Sequence, residues 1–331
     1  MLWLTAAFLA ALLAIKAINL FEGEDVILDL RDEFRLARID LADLDRAAGN
    51  ARRSDAIVCL TTTPSRLPYI DDTLKSLLRQ TLLPREIWLH VPAFSKRENR
   101  PYEIPDRLQR LRSVRIRDCD DWGPATKFIP ALTALPPGQL VIVLDDDRIY
   151  PPSLVRDLDA AAQALPDAAF GLSGWVVPGD LVDRPTTVIS NLLQRAPAPV
   201  RATRLTALRR VDVLQGVSGY AVRPRFFDLA RLTDYARAPA EAFTVDDVWM
   251  SAHCRVPKYV VPARRSSFQP WRRRGLYTRT SLGWINRGRT DEERRNSIML
   301  RHFRDAWMTS AGMATDRAPA GPVAPRGGAE P

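Results

Sequence analysis

A short apolar run that ends in three consecutive carboxylates is the feature that most limits how this chain can fold. Val141–Leu144 is followed at once by Asp145, Asp146 and Asp147. An apolar run bounded by charge is typical of a buried strand, so the acids would lie at its carboxyl end, where open α/β sheets hold ligands. Carboxylates there can hold Mg²⁺ or Mn²⁺, which often share their oxygen ligands with substrate phosphates. A solvated acidic turn after a core strand explains the same residues equally well.

Upstream of this run, segments of strand character alternate with segments of helical spacing. The strand-like segments are rich in consecutive apolar residues, and the helical ones repeat apolar residues every three or four positions. Such alternation predicts a doubly wound, mostly parallel sheet flanked by helices. The predicted strands are Ala56–Thr62, Glu86–Val91 and Ser113–Arg117, and the predicted helices are Ile70–Gln80, Pro105–Arg112 and Pro124–Leu135.

Composition sets the class of protein and its partners. The chain has 331 residues, 46% of them hydrophobic, which is enough to bury a full α/β core. Its formal net charge of +9 favours a polyanionic neighbour such as a phospholipid or a nucleotide. The basic stretch from Arg264 to Arg274 belongs to no recognisable nucleic-acid module, so we expect no nucleic-acid partner. Cys59, Cys119 and Cys254 are widely spaced and odd in number, which favours a reducing compartment over a disulfide framework.

The amino-terminal residues 1–21 are almost wholly apolar and are interrupted only by Lys16. This length is close to the roughly 20 residues that span a bilayer, so we expect a membrane anchor. A cleaved signal peptide fits less well because the segment has no basic start, and a helix packed on the domain is the other alternative. We expect a helical stalk or covering helix over 22–54, a catalytic domain over 55–310 on the cytoplasmic face, and a disordered Pro/Gly/Ala-rich tail over 311–331.

Several weak motifs occur in a consistent order. AIVCLTTTPSR at 56–66 precedes Gln80, Pro84 and the next strand, and Asp121–Lys127 precedes Gly138 and the acidic strand end. Val213–Phe227 carries closely spaced glycines, and Thr244–Cys254 opens on an acidic pair. In this order, residues 56 to about 261 resemble glycosyltransferases of the GT-A fold, of the family 2 type. Ordered weak motifs together are stronger evidence than any one of them.

The resemblance implies a nucleotide-sugar donor and a DxD metal site. Asp145 and Asp147 would hold Mn²⁺ or Mg²⁺, with His302 as a possible further ligand, although a lone helix histidine is more often structural. Donor contacts would come from Asp145 and Asp146, and also from four residues that border the nucleotide: Thr62, Arg66, Gly123 and Lys127. For Lys127 the alternative is an exposed helix lysine.

The acidic pair and the glycine segment are implied to face the acceptor. Asp247 would be the general base and Asp246 its neighbour, while the alternative is that one of them caps the helix that follows. The implied acceptor contacts are Gly216, Ser218, Gly219 and Trp249. A strand kink and an aromatic core explain these residues equally simply.

The implied function is transfer of one sugar from a nucleotide donor to a glycan or lipid-linked acceptor, with inversion. Two departures from the family pattern matter. The second strand ends His90-Val91-Pro92-Ala93, without the acid that helps to hold the base, and the Gln-x-x-Arg-Trp pattern of processive synthases is missing. A nucleotidyltransferase, or an inactive anchored protein that binds anionic polymers, remains an alternative, and so does transfer with retention.

Overall fold

The computed structural model describes residues 2–308 of the chain, in helices and strands that alternate along most of its length. The strands are β1 Ile57–Thr61, β2 Glu86–Pro92, β3 Phe94–Ser95, β4 Arg100–Pro101, β5 Val114–Cys119, β6 Val141–Val143, β7 Ala169–Gly171, β8 Ser173–Trp175, β9 Val200–Arg201, β10 Arg209–Val211, β11 Val213–Leu214, β12 Tyr220–Val222 and β13 Lys258–Val260. The helices are α1 Leu2–Glu22, α2 Val26–Ala37, α3 Leu41–Ala47, α4 Asp71–Leu77, α5 Asp106–Gln109, α6 Ile129–Ala134, α7 Leu154–Ala164, α8 Val188–Leu192, α9 Leu229–Leu232, α10 Asp246–His253, α11 Arg274–Arg279, α12 Leu282–Ile285 and α13 Arg295–His302. The tail predicted over 311–331 and the predicted domain end at 310 lie outside the described residues.

Eight strands form the central sheet, in the order β10-β13-β7-β12-β6-β1-β2-β5. Pairings between β1, β2, β5 and β6 are parallel, as is that of β13 with β7. Only β12 and β10 run against their neighbours. The predicted fold class, a mostly parallel sheet flanked by helices, is therefore confirmed.

The core follows from the apolar patterns. All three residues of β6 are buried, as expected for a strand covered on both faces. Helix α7 buries Leu154, Val155, Leu158 and Ala162, which lie on one face of a helix. One predicted helix is interrupted: Gly123–Lys127 is a 3₁₀ turn, and α6 begins only after Phe128, whose backbone is not helical.

The sheet topology brings the candidate residues to one edge. From β1 the chain moves to β2 on one side, and later reaches β6 on the other, so β1 and β6 border a topological switch point. Ligands bind outside the carboxyl ends of strands at such a point. Because β12 pairs antiparallel with β6, with Tyr220 opposite Val143, the segment before β12 lies beside Asp145.

The segment before the sheet contains the helices α2 and α3, which contact the domain that follows. Asp29 of α2 forms an ion pair with Arg265 at 2.9 Å. Asp45 of α3 accepts hydrogen bonds from the backbone of Arg112 and Ser113 at 2.7 and 2.8 Å. These contacts join the segment to the residues before β5 and after β13, so its helices form part of the domain surface.

The apolar helix α1 precedes this covering segment. Its residues Trp3–Glu22 have a mean hydropathy of 2.0 and none of the apolar stretch is buried. By length and composition α1 could cross a bilayer, although a signal sequence would meet the same criterion. Membrane attachment therefore stays a prediction.

Candidate active site

A cavity of about 390 Å³ opens at the switch point of the sheet. Its lining combines acidic and basic side chains that come from distant parts of the chain. They are Arg66, Arg97, Asp121, Lys127, Asp145, Asp146, Asp147, Arg148, Asp246 and Asp247. The two acidic clusters singled out from the sequence thus face the same cavity.

Lys127 joins the two acidic clusters. Its Nζ lies 2.6 Å from Asp145 Oδ1, 2.7 Å from Asp246 Oδ2 and 3.9 Å from Asp247 Oδ1. The side chain is buried, which excludes the exposed-lysine alternative. Burial disfavours the ammonium, but the surrounding carboxylates outweigh it and hold the pKa of Lys127 well above its usual range. Lys127 is therefore a fixed cation between the clusters.

The turn that carries Lys127 depends on Gly123. Gly123 has φ +61°, and a Cβ there would lie 2.5 Å from the carbonyl oxygen of Phe243. This close approach packs the Gly123–Lys127 turn against the chain that leads into α10. Glycine is the residue that permits both the left-handed backbone and the contact. Gly123 thus brings Lys127 to Asp246 and also lines the cavity.

Asp247 presents a carboxylate to the cavity from the first turn of α10. The side chain is 31% exposed, and its Oδ1 accepts a hydrogen bond from Gly216 N at 3.0 Å. The helix is preceded by Val245 and has no side-chain cap, so neither aspartate serves as the N-cap. Burial, reinforced by the charge of Asp246, raises the pKa of Asp247 to about 8. Such a carboxyl can take up or release a proton near neutral pH.

A pH dependence follows if Asp247 acts as a base. Because its pKa is raised, the basic carboxylate form becomes more abundant as pH increases through that pKa. We expect kcat/KM for donor turnover to rise with pH across the neutral range and to level off at alkaline pH. A steady-state pH profile from about pH 6 to about pH 8, roughly one unit on either side of neutral, would measure this increase. A kcat/KM that falls as the pH rises through that range would contradict the expectation.

Asp146 fixes two neighbouring residues of the cavity wall by hydrogen bonds. It accepts hydrogen bonds from Thr62 Oγ1 at 2.5 Å and from Arg66 Nη1 at 2.9 Å. Arg66 is in turn anchored by Thr280, whose hydroxyl accepts from Arg66 Nε at 2.8 Å. Both oxygens of Asp146 are therefore engaged by the protein, so Asp146 positions Arg66 in the cavity wall.

Asp147 has the looser contacts. Its Oδ2 lies 3.5 Å from Arg66 Nη1 and 3.4 Å from Gln269 Nε2. Burial, together with the charge of Asp146 and against that of Arg66, raises the pKa of Asp147 to about 6. A cation beside this crowded carboxylate would relieve the repulsion. The hard oxygens of Asp145 and Asp147 thus suit Mg²⁺ or Mn²⁺.

The described side chains do not form a complete metal site by themselves. Among residues 2–308, no group of three or more His, Cys, Asp or Glu side chains could hold a metal ion. Mg²⁺ commonly binds through one or two carboxylates plus substrate phosphates and water. The residues therefore fit a metal that is completed by a phosphate-bearing ligand.

Five of the predicted contact residues are not part of the cavity lining, namely Gly216, Ser218, Gly219, Trp249 and His302. Trp249 is buried, stacks on Tyr235 at 4.3 Å and donates from Nε1 to the carbonyl of Leu232 at 3.0 Å. His302 is exposed to solvent and its ring contacts Phe303 at 4.7 Å. These side chains belong to an aromatic cluster behind α10. The structure therefore does not bring Trp249 to an acceptor surface or His302 to the carboxylates.

The glycine segment is only partly at the cavity. The Ser218 hydroxyl is buried against Ser266 Oγ at 2.7 Å, and a Cβ at Gly219 would meet Leu144 at 2.6 Å in the core. Their predicted acceptor contacts are thus replaced by packing contacts. Gly216 is different because a Cβ there would lie 2.5 Å from Lys127 Nζ and 2.9 Å from Asp145 Oδ1.

Substitution of Gly216 by alanine tests this contact. The new methyl group would displace Lys127 from Asp145, and overpacking of this kind costs about 1–3 kcal/mol. We expect a less stable variant whose donor turnover is also lower, because Lys127 no longer holds Asp145 in place. Gly49→Ala is the matched control because a Cβ there meets nothing within 4 Å. Equal turnover of both variants would show that the Lys127 contact is unimportant.

Sequence reasoning missed several residues of the lining. Arg148 directly follows the three aspartates, so its position could have been recognised. Arg97, in the short hairpin between β3 and β4, and Ser281, Leu282 and Asn286 near α12 had no such signal. They reach the cavity only through the folding of distant segments over it.

Comparisons with known proteins give a distant likeness to solved structures. No protein-family model and no curated protein matches the sequence. Residues 1–349 of S. aureus TarS match at 15% identity and a TM-score of 0.37, over 76% of this chain and 71% of that one. The same fragment in complex with UDP-GlcNAc matches at 15% identity and a TM-score of 0.39, over 65% of this chain and 58% of that one. Francisella tularensis 2-C-methyl-D-erythritol 4-phosphate cytidylyltransferase matches at 14% identity and a TM-score of 0.37, over 70% of this chain and 97% of that one. Likenesses this distant leave the chemistry of the cavity to be judged from its own residues.

Proposed function

We propose that this chain is a membrane-anchored, metal-dependent GT-A glycosyltransferase. It moves one sugar from a nucleotide-sugar donor to a glycan or lipid-linked acceptor, with inversion. The observation that carries the proposal is the convergence of Asp145 and Asp247 on Lys127 within one cavity. A strand-end acidic cluster and a separate carboxylate with a raised pKa are the two parts that such a reaction needs.

The cavity suits a nucleoside diphosphate attached to a sugar. Its volume of about 390 Å³ lies within the usual range of small-molecule sites. Cationic side chains of Arg66, Arg97, Lys127 and Arg148 border it, and they complement a diphosphate. Trp175 also lines the cavity and offers an aromatic face for a sugar ring.

Mn²⁺ or Mg²⁺ would be held by Asp145 and Asp147. When bound there with the donor, the metal would neutralise charge that develops on the leaving diphosphate. Lys127 keeps Asp145 oriented through its 2.6 Å contact, and Arg66 holds the turn through Asp146. These side chains keep the acidic residues in place.

Asp247 would take the proton of the acceptor hydroxyl. The hydroxyl oxygen then forms the new bond to the anomeric carbon, and the bond from that carbon to the diphosphate breaks. The products are a glycoside and a nucleoside diphosphate. Gly216 N–H steadies the Asp247 carboxylate during this step through its 3.0 Å hydrogen bond.

Residues that directly follow the proposed anchor contact the lining of the cavity and its neighbours. Glu24, two residues after α1, lies 3.4 Å from Arg148 of the lining, and Gly23 O accepts from Ser266 N at 2.7 Å. An acceptor carried by a membrane lipid fits this arrangement. We place the catalytic domain on the cytoplasmic face as part of the same proposal.

Donor turnover by the purified full-length chain tests this function. Nucleotide sugars are screened with and without Mn²⁺, and release of nucleoside diphosphate is measured. We expect metal-dependent release from one class of donor. Pyrophosphate release from nucleoside triphosphates would instead identify a nucleotidyltransferase, and tight donor binding without any turnover would identify an inactive binding protein.

A further inference from the structure

Helix α8 is a well-formed helix that buries nothing. Thr187 caps it, with its side chain accepting from Ser190 N and the Ser190 side chain accepting from Thr187 N. None of the residues of α8 is buried, although three of the five are apolar. A helix of this kind lacks the packing of an apolar face that mainly stabilises helices in proteins.

The apolar residues of this region form one exposed face. Val188 and Ile189 are 84% and 67% exposed, and Leu192 and Leu193 are 52% and 53% exposed. Their spacing of i, i+1, i+4 and i+5 puts them on one side of a helix. Contiguous exposed apolar side chains mark an interaction site in a folded protein.

The end of the apolar helix α1 lies next to α8. Arg204 connects them, because it donates from Nη1 to the carbonyl of Asn191 at 2.9 Å and lies over the Phe21 ring at 5.4 Å. Thr203 also donates to the carbonyl of Leu20 at 3.2 Å. The turn that holds Thr203 and Arg204 therefore contacts both α8 and the carboxyl-terminal end of the proposed anchor.

The polar groups around this face favour an anionic lipid surface as the occupant. Arg195 is exposed just after α8. Nε and Nη2 of Arg204 are buried and have no hydrogen-bond partner among the described residues, so the positive charge that this region presents to solvent comes from Arg195. Arginine beside exposed leucine and isoleucine is the composition of segments that lie in a membrane interface, where cations meet phosphates and apolar side chains meet acyl chains.

We propose that α8 docks on the bilayer beside α1, with Val188, Ile189, Leu192 and Leu193 in the interface and Arg195 at anionic headgroups. This inference rests on the membrane attachment proposed above. It adds a second contact that fixes how the domain lies on the membrane.

This second contact connects to the cavity through a short path. Arg204 belongs to a 3₁₀ turn that directly follows β9, and β9 pairs with β8. Trp175, the last residue of β8, lines the cavity. Docking of α8 would therefore hold the cavity near the headgroups, where a lipid-linked acceptor is found.

Site-specific fluorescence on the full-length chain tests the docking. In a Cys119→Ser background, whose remaining cysteines are buried, an environment-sensitive dye is attached at Leu192→Cys, Leu13→Cys or Arg110→Cys. Each protein is reconstituted in vesicles of phosphatidylcholine and phosphatidylglycerol, with and without lipids that carry a quencher in the acyl chain. Leu13 reports on the anchor, and Arg110, whose side chain is 80% exposed before edge strand β5, is the water-facing control.

We expect a blue-shifted, quenched dye at Leu192 and Leu13 and an unquenched dye at Arg110. Quenching at Leu192 should weaken when phosphatidylglycerol is replaced by phosphatidylcholine. A dye at Leu192 that behaves like the one at Arg110, while Leu13 is quenched, overturns the docking of α8 and leaves the anchor intact. An unquenched dye at Leu13 would overturn the membrane attachment itself, and the docking with it.

Discussion

Replacement of Asp247 by asparagine should lower kcat by about 10²- to 10⁴-fold, the usual contribution of a positioned general base. Asparagine keeps an oxygen that can accept the hydrogen bond from Gly216 N, so the loop and the helix start should be retained. What is lost is the ability to accept a proton from the acceptor. Steady-state kinetics with a saturating donor, combined with a direct measurement of donor binding, would show a loss in kcat with little change in donor affinity.

Asp106→Asn is the control for this substitution, because its side chain is 81% exposed and lies at the start of α5. It should turn over donor at the wild-type rate. Near-wild-type turnover by Asp247→Asn would remove Asp247 from the reaction. Loss of donor binding in that variant would instead assign the residue to the donor site.

Removal of divalent metal should abolish turnover of the wild-type protein, and Asp147→Asn should behave the same way with metal present. Stabilisation of a leaving diphosphate by several kcal/mol corresponds to roughly a thousandfold in rate. Asp147 is the better of the two ligands to replace, because its contacts to Arg66 and Gln269 are 3.5 and 3.4 Å, whereas Asp145 is held by Lys127 at 2.6 Å. Donor turnover is measured in chelator and after addition of Mn²⁺.

Mn²⁺ should restore the wild-type protein and not Asp147→Asn. Full turnover in chelator would show that the reaction in this cavity needs no divalent metal. Lys127 already pairs with Asp145 and Arg66 lies beside Asp147, so protein cations would then be sufficient to neutralise the diphosphate. The metal assignment would be wrong, although a transferase could remain.

The fold could be predicted because its buried parallel strands are continuous apolar runs. Ala56–Thr62 and Glu86–Val91 correspond to β1 and β2, and the run before Asp145 corresponds to β6. Boundaries of the helices were less accurate, as the break at Phe128 shows. The turn before that break also packs Gly123 against Phe243, a residue more than a hundred positions away, and local patterns cannot report such a contact.

The site was predictable where a residue type and its place on an element agree. Carboxylates after a buried strand, and a basic residue before that strand, were expected at the ligand edge, and Asp145 and Lys127 do meet there. The reach of Asp246 to Lys127 required the resemblance, because it joins residues more than a hundred positions apart. No pattern in the sequence indicated that Lys127 would contact both acidic clusters.

Single residues without such a context were placed poorly. Trp249 and His302 were chosen by residue type and late position, yet both pack in or against the aromatic cluster around Phe303. Which face of a short helix is buried depends on the elements that pack against it. Helices α10 and α13 pack against each other, and this contact could not be read from either segment alone. Ser218 and Gly219 were predicted to contact the acceptor, but they pack against neighbouring residues, whereas Gly216 lies beside Lys127.

The most direct measurement is a crystal structure of the full-length chain with Mn²⁺ and a nucleoside diphosphate, with the metal located by its anomalous scattering. We expect one Mn²⁺ peak in the cavity, bound by carboxylate oxygens of Asp145 and Asp147 and by diphosphate oxygens, with Asp247 facing the same space. A nucleotide bound elsewhere on the chain, or a Mn²⁺ peak away from these carboxylates, would contradict the proposal that the two acidic clusters form one transferase site.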